Sequence, residues 1–136
     1  MITLLILMQL FTTLFMVGMI WFVQLVHYPL FDIVGNSNDY HKQHQKRTTW
    51  IAAPVMLLEA ITTIILLIER GKGVDIIGAF LLLIIWISTL LWQIPCHKKL
   101  SLQYSKSVVR RLVQTNWVRT FCWSARGILL LLQLTL

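Results

Sequence analysis

The feature that most constrains this chain is the length of its apolar runs. Residues 2–30 contain no Asp, Glu, Lys or Arg, residues 49–68 contain only Glu59, and residues 76–96 contain none. Each run has at least the roughly 18 to 20 apolar residues that a helix needs to cross a bilayer. A soluble fold of 136 residues that is 57% hydrophobic could not bury so much apolar surface. We therefore expect an integral membrane protein.

A fourth run, residues 112–136, also has the length of a membrane span but contains Arg119 and Arg126. Short connections join the four runs, which predicts a single all-α domain folded as an integral membrane four-helix bundle. The first run has no basic n-region and no cleavage pattern, and it is longer than a signal-peptide core, so we expect it to be retained as a helix. The four helices are predicted at about residues 2–30, 41–69, 75–97 and 104–135.

The distribution of basic residues predicts the orientation in the membrane. The second connection, residues 69–75, has two basic residues beside two acidic ones. The first and third connections contain eight basic residues, namely Lys42, Lys46, Arg47, Lys98, Lys99, Lys106, Arg110 and Arg111. The positive-inside rule then places these two connections in the cytoplasm and both termini outside. Because topology and lipid headgroups account for most of the net charge of +7, we expect no nucleic-acid partner.

Two opposite charges are expected near the middle of the membrane. Glu59 lies ten residues before Glu69, at the outer end of the second helix, and Arg126 lies ten residues before the C-terminus. At a rise of about 1.5 Å per residue, both are roughly 15 Å deep. A lone charge at that depth costs about 2.5–3.5 kcal/mol, which predicts a buried Glu59–Arg126 ion pair. The alternative is a protonated Glu59 with an Arg126 that snorkels outward.

Further polar residues form a stripe on the fourth helix. Asn116, Arg119, Trp123 and Arg126 are spaced by three, four and three residues, which places them on one face. Gln93 belongs to a corresponding face of the third helix. Lipid cannot satisfy such groups, so we expect them to face the interior of the bundle and to line a polar shaft. In that position Trp123 could form a wall of a substrate site.

All four histidines are predicted at the cytoplasmic ends of the first three helices: His27, His41, His44 and His97. Imidazole is a ligand of Zn, Cu, Fe and haem iron, and helical bundles build such sites from facing side chains. The histidines are therefore candidate ligands of a metal ion or haem. The alternative is that the segment YHKQHQKR is a solvated turn at the lipid headgroups, in which His41 and His44 contact water.

Several motifs together resemble known membrane proteins. They are HYPLF, YHKQHQKRTTWIAAPVMLLE, WISTLLWQIPCHKKL and TNWVRTFCWSAR. These motifs are similar to those of a group of uncharacterised bacterial four-helix membrane proteins and, more loosely, of the anthrone oxygenase-like domain family. The resemblance covers essentially the whole chain and implies an oxidative activity on a small, apolar, ring-containing substrate. A weaker similarity is to the small membrane haem protein that oxidises protoporphyrinogen, but its lysine has no clear intramembrane counterpart here.

Two functional hypotheses follow. In the first, a membrane oxidoreductase or oxygenase holds Fe, Cu, Zn or haem on the histidines and takes its substrate from the lipid. Glu59 would donate a proton or ligate the metal, and the arginines would stabilise an oxyanion or keep Glu59 ionised. The candidate catalytic residues are Glu59, Arg119, Arg126 and Asn116, the candidate cofactor-binding residues are Gln93 and Trp123, and the candidate metal ligands are His27, His41, His44 and His97.

In the second hypothesis, the chain is a non-enzymatic membrane subunit or small carrier. Its polar residues would then serve packing or the passage of a proton or solute. Intramembrane hydrogen bonds contribute on average well under about 1 kcal/mol, so packing is a weak reason to keep five such residues, and this favours the enzyme. The sequence has no phosphate-binding glycine loop and no Ser/His/Asp set. Assembly into a homo-oligomer is left open.

Overall fold

The computed structural model describes residues 1–135, which form an all-α structure without a β-strand among them. Two π-helical turns interrupt the α-helices. In chain order the elements are α1 (Ile2–Phe22), a π-helical turn (Val23–His27), α2 (Phe31–Val34), α3 (Asn38–Glu69), α4 (Gly73–Ser88), a second π-helical turn (Thr89–Gln93), α5 (Ile94–Leu102) and α6 (Lys106–Thr135).

Among residues 1–135, three continuous helical stretches are long and apolar enough to cross a membrane by length and composition. They are Ile2–His27, Asn38–Glu69 and Gly73–Leu102. The last stretch contains α4, the second π-helical turn and α5. The helix α6 is 30 residues long, but its mean hydropathy is lower than that of the other three, because it contains the polar stripe with Arg119 and Arg126.

The long helices surround one core. The helix α1 packs against α3 and α6, α6 also packs against α4, and α3 packs against α4 and α5. The helices α3 and α6 therefore lie diagonally across the core from each other. One buried apolar cluster includes Met16, Ile20, Met56, Leu82, Ile85 and Trp123, and a second includes Val23, Tyr28, Phe31, Cys96, Leu100, Val109 and Leu112.

Both π-helical turns lie directly before a proline. The N–H groups of Tyr28 and Ile94 each donate to the carbonyl five residues earlier, and the next residues are Pro29 and Pro95. Proline has no N–H and its ring crowds the carbonyl four residues before it, so a widened turn at this point relieves the conflict. The extra residue in each turn changes which side chains face the core, and such turns are frequent at functional sites.

The first two helices differ in length from their predictions. The first, predicted at residues 2–30, stays helical only to His27, the last residue of the π-helical turn. The second, predicted at residues 41–69, begins earlier, at Asn38. The chain reverses before it at Gly35, whose φ of 57° is a left-handed value that glycine adopts without strain.

The last two helices also differ in their boundaries. The third, predicted at residues 75–97, begins two residues earlier, because the Asp75 carboxylate accepts the backbone N–H of Lys72 at 3.1 Å and caps the first turn. It continues past its predicted end to Leu102 through the second π-helical turn. The fourth, predicted at residues 104–135, begins two residues later than expected.

Candidate functional site

A buried ion pair joins α3 and α6 at the centre of the molecule. The Nε of Arg126 donates to Oε1 of Glu59 at 3.1 Å, and the side chains are 1% and 0% exposed. The pair predicted from the depth of these two charges is therefore present. It crosses the core diagonally, since α3 and α6 lie on opposite sides of it.

Hydrogen bonds from other helices complete this pair. The hydroxyl of Thr13 donates to Oε1 of Glu59 at 2.6 Å. Arg126 donates through Nη1 to the carbonyl of Gly78 and through Nη2 to the hydroxyl of Thr63 at 3.2 Å. The pair and its partners thus connect α1, α3, α4 and α6. In a buried ion pair whose remaining donors and acceptors are satisfied, the mutual attraction and the hydrogen bonds offset the desolvation penalty of the two charges.

Arg119 lies seven residues before Arg126 on the same stripe, toward the histidines, and its surroundings are different. Its guanidinium carbon is 5.1 Å from the centroid of the Trp123 ring, and Nη1 donates to Oδ1 of Asn116 at 3.3 Å. The residue is only 8% exposed. Within the described part of the chain, Arg119 forms no ion pair and its buried Nε has no hydrogen-bond partner.

The other two residues of the stripe are held by hydrogen bonds within the core. The indole N–H of Trp123 donates to Oε2 of Glu59 at 3.1 Å, which links the aromatic ring beneath Arg119 to the ion pair. The Nδ2 of Asn116 donates to Oε1 of Gln24 at 2.8 Å. All four residues of the stripe are buried, as their spacing predicted.

A cavity of about 180 Å³ lies beside Arg119, between α1, α3 and the α4–α5 segment. Apolar side chains form most of its walls, among them Met16, Ile20, Ala52, Met56 and Trp86. Its polar side is formed by Tyr28, Gln93, His97 and Arg119. An engineered apolar cavity of about 150 Å³ binds benzene, so this space suits a small ring-containing molecule.

The cavity does not include every residue predicted for the site. Gln93 lines the cavity. Its Oε1 accepts a hydrogen bond from the Tyr28 hydroxyl at 3.3 Å, and its Nε2 donates one to the Thr115 hydroxyl at 2.9 Å. Trp123 lies outside the lining, and Trp86, which the spacing of three and four residues places on the same helical face as Gln93 and His97, forms part of the wall instead. The candidate catalytic residues Glu59, Asn116 and Arg126 also lie outside the lining.

Three of the four histidines form a row that leads to this cavity. The Nε2 of His27 and Nδ1 of His44 share a hydrogen bond at 2.6 Å, and the ring centroids of His44 and His97 are 5.4 Å apart. At the end of the row, Nε2 of His97 shares a hydrogen bond with the Tyr28 hydroxyl at 3.0 Å. The histidine row, His27–His44–His97, therefore runs from a half-buried position to the cavity wall.

The ring of Phe31, which is fully buried, separates His41 from that row. It stands edge-on to all four imidazoles, with centroid distances from 5.1 to 6.2 Å. His41 instead places Nε2 3.0 Å from the carbonyl of Gly35 and stacks its ring on Tyr104. His41 and His44, both candidate metal ligands, therefore do not point at a common centre. Sequence reasoning missed Phe31, because an apolar residue in an apolar segment carries no signal of its position.

The histidine row is not arranged as a metal centre. Among the described residues there is no group of three or more His, Cys, Asp or Glu side chains placed to hold a metal ion. The facing nitrogens of His27 and His44 point at each other and not at a common centre, although Nε2 of His44 is buried without a partner in the described chain. The donors as they stand do not fit a metal ion, and the metal or haem stays a prediction.

Tyr28 follows the first apolar stretch and is only 3% exposed. Burial raises the pKa of its phenol, and the nearby positive charge of Arg119 opposes this effect only in part. The phenol therefore keeps its proton at neutral pH. It can donate that proton to the hydrogen bond with His97 or with Gln93.

Comparisons of the chain with models of protein families, with curated proteins and with solved structures find no match. Chemically, the site combines an apolar cavity, an imidazole on its wall and a buried guanidinium. A neutral imidazole offers one donor nitrogen and one acceptor nitrogen for hydrogen bonds. A buried guanidinium binds and stabilises negatively charged oxygen atoms.

Proposed function

We propose that the chain is an integral membrane four-helix bundle in which α1, α3, the α4–α5 segment and α6 cross the bilayer. The first three have the required length and composition. In α6 the charged residues Arg119 and Arg126 are buried, whereas Phe121, Ile128 and Leu131 are exposed. A helix whose polar stripe faces protein and whose remaining surface is apolar suits a lipid environment. The lipid bilayer is thus the proposed partner of the outer surfaces of these helices.

The proposed orientation has the histidine row on the cytoplasmic side and both termini outside, as the positive-inside rule predicts. The proposed location is a bacterial inner membrane, as the resemblance to bacterial membrane proteins implies. The test uses a chain in which Cys96 and Cys122 are replaced by alanine and a single new cysteine is introduced. A membrane-impermeant maleimide should label Lys72→Cys in spheroplasts, and it should label Ser105→Cys only after the membrane is disrupted. The reverse pattern would show the opposite orientation.

The proposed function is oxidation of a small, apolar, ring-containing molecule by a membrane oxidoreductase or oxygenase. The observation that carries the proposal is the cavity, whose size suits a small ring and whose walls are mostly apolar. Oxidation of such a molecule by dioxygen removes hydrogen from its ring, and His97 on the cavity wall would hold that hydrogen transiently as a proton until it is transferred to the reduced oxygen to form water. The rest of the histidine row, His44 and His27, lies behind His97 and would support its ring.

Enzymatic activity can be tested with anthrone as a probe, since one molecule of dioxygen converts anthrone to anthraquinone and water. Oxygen uptake and anthraquinone formation should exceed the uncatalysed rate for the purified protein. Ala52→Phe, which places a ring in the cavity, should remove this excess. Ala125→Phe is the matched control, because Ala125 is exposed on α6, and it should retain the activity. Equal rates for both variants and the wild type would contradict the proposal.

The cofactor requires a separate measurement. No step is assigned to a metal ion or haem, because the histidine nitrogens as they stand do not form a metal centre. An absorption spectrum and elemental analysis of the detergent-purified protein would show a Soret band, or about one equivalent of iron, copper or zinc, if one is bound. Loss of the metal in His44→Ala and its retention in His41→Ala would assign it to the histidine row. A colourless, metal-free protein would leave an enzyme in which the substrate itself reacts with the oxidant.

The second candidate function is a non-enzymatic membrane subunit or carrier. The observation in its favour is the Glu59–Arg126 pair, which is satisfied by its neighbours and lies outside the cavity lining. Such a pair can serve packing alone. Under this alternative, Ala52→Phe would change stability or solute passage, and no oxidation of the probe would be observed.

A further inference from the structure

Two buried donors at the cavity lack an acceptor. The Nε of Arg119 and Nε1 of Trp86 have no hydrogen-bond partner among the described residues, and both side chains line the cavity. A buried donor without a partner costs about 1–3 kcal/mol, and more when the group is charged. Binding of an acceptor in the cavity would recover this free energy.

The contrast with Arg126 shows which kind of acceptor is missing. Arg126 has the carboxylate of Glu59 within 3.1 Å. Among the described residues, Arg119 interacts with the amide oxygen of Asn116 at 3.3 Å, with the hydroxyl of Tyr28 and with the face of the Trp123 ring. None of these groups carries a full negative charge. The cavity therefore has an uncompensated positive charge on its wall, in a position that is 8% exposed.

We propose that the ligand of this cavity carries an ionised oxygen, as a carboxylate, phenolate or enolate does, on its apolar ring, and that Arg119 binds this oxygen. The proposal rests on the proposed function and narrows its substrate class. A guanidinium forms its strongest hydrogen bonds with anionic oxygen, and a site with few competing waters strengthens them further. The indole N–H of Trp86 supplies a second donor to the ligand, and Met16 and Met56 contact its apolar part.

The test compares two probes of nearly the same shape, 2-naphthoate and its neutral analogue 2-naphthamide. Binding to the full-length protein in detergent is measured by calorimetry, with the heat of partition into empty micelles subtracted. We expect the wild type to bind 2-naphthoate at least about tenfold more tightly than 2-naphthamide. Arg119→Gln should lower the affinity for 2-naphthoate by about the same factor and leave that for 2-naphthamide within about twofold of wild type.

Two further variants keep the test decisive. Arg110→Gln removes an exposed arginine from the same helix and should leave both affinities unchanged. Trp86→Phe keeps an aromatic wall but removes the second donor, and should weaken binding of 2-naphthoate more than that of 2-naphthamide. A folding defect in Arg119→Gln would appear as an equal loss of affinity for both probes. In that case the relative affinities of Trp86→Phe for the two probes would support or overturn the proposal.

The outcomes separate this proposal from the proposed function. If the wild type binds both probes equally and Arg119→Gln changes neither affinity, anion recognition is overturned while the cavity remains a binding site. If binding of both probes is unaffected by Ala52→Phe, the probes bind elsewhere, and the cavity on which the proposed function rests is itself in conflict with experiment.

Discussion

Arg119 and Arg126 lie seven residues apart on one face of α6 and are both buried, yet within the described chain only Arg126 has a carboxylate as its partner. Arg126 connects α6 to Glu59 on the opposite helix. Arg119 has neutral neighbours and borders a cavity. The same residue type therefore has a structural role at one position and is available to a ligand at the other.

The ion pair predicts a strong effect of removing one partner. Arg126→Leu should lower the free energy of unfolding by about 3–5 kcal/mol, because it leaves the Glu59 carboxylate buried without a counter-charge. Adding Glu59→Gln to that variant should recover part of the loss, since an amide is less costly to bury than a carboxylate. The measurement is reversible unfolding in mixed micelles for both single variants and the double variant. Arg110→Leu, at an exposed position of α6, is the control and should have little effect. Losses that simply add would show that the two residues do not interact.

Neighbouring threonines of α1 test the hydrogen bond to the carboxylate. The hydroxyl of Thr13 donates to Glu59, whereas that of Thr12 donates to carbonyls of its own helix at 3.0 Å, and both residues are buried. Thr13→Val should lower the free energy of unfolding by about 1.5–3 kcal/mol, as expected for loss of a hydrogen bond to a charged group. Thr12→Val is the matched control and should lower it clearly less. Equal unfolding free energies for the two variants would mean that the bond to Glu59 adds nothing.

Gly78 is predicted to be required for the position of Arg126. A Cβ at this residue would lie 3.3 Å from Nη1 of Arg126, which is bonded to the carbonyl of Gly78 itself. Gly78→Ala should therefore lower stability by about 1–3 kcal/mol, the usual cost of overpacking. At Gly18, where a Cβ would meet nothing within 4 Å, the same change should be neutral or stabilising. Thermal unfolding in detergent compares them, and a stable Gly78→Ala protein would contradict the tight contact.

Phe31 is predicted to organise the histidines. Its ring is fully buried and contacts all four imidazoles. Phe31→Ala should therefore lower the free energy of unfolding by about 3–5 kcal/mol. The imidazole signals in the ¹H–¹⁵N NMR spectrum should also move, since the rings lose their common neighbour. Phe22→Ala, at a position that is 58% exposed, should leave those signals in place. Unchanged imidazole signals in Phe31→Ala would show that the histidines hold their arrangement without this ring.

The Glu59–Arg126 pair could be predicted because depth along a helix depends only on the number of residues from its end. At that depth each of the two charges has only the other as an opposite charge. The histidine row could be predicted only in part. The extra residue in each π-helical turn rotates the subsequent residues by about 100° around the helix axis. A proline follows both turns but does not by itself predict one, since Pro54 lies within the continuous α-helix α3. Phe31, whose ring lies between His41 and the histidine row, follows the first π-helical turn, so its position depends on that turn as well.

The length of an apolar run and the period of its polar positions are enough to predict that the chain is helical, that its helices have apolar outer surfaces, and that one stripe of α6 faces inward. These are properties of consecutive residues. The pairing of Arg126, the cavity beside Arg119 and the position of Trp86 in its wall follow from the packing of the helices. Such contacts join segments far apart in the chain, and they depend on how each helix is rotated against its neighbours, which packing decides.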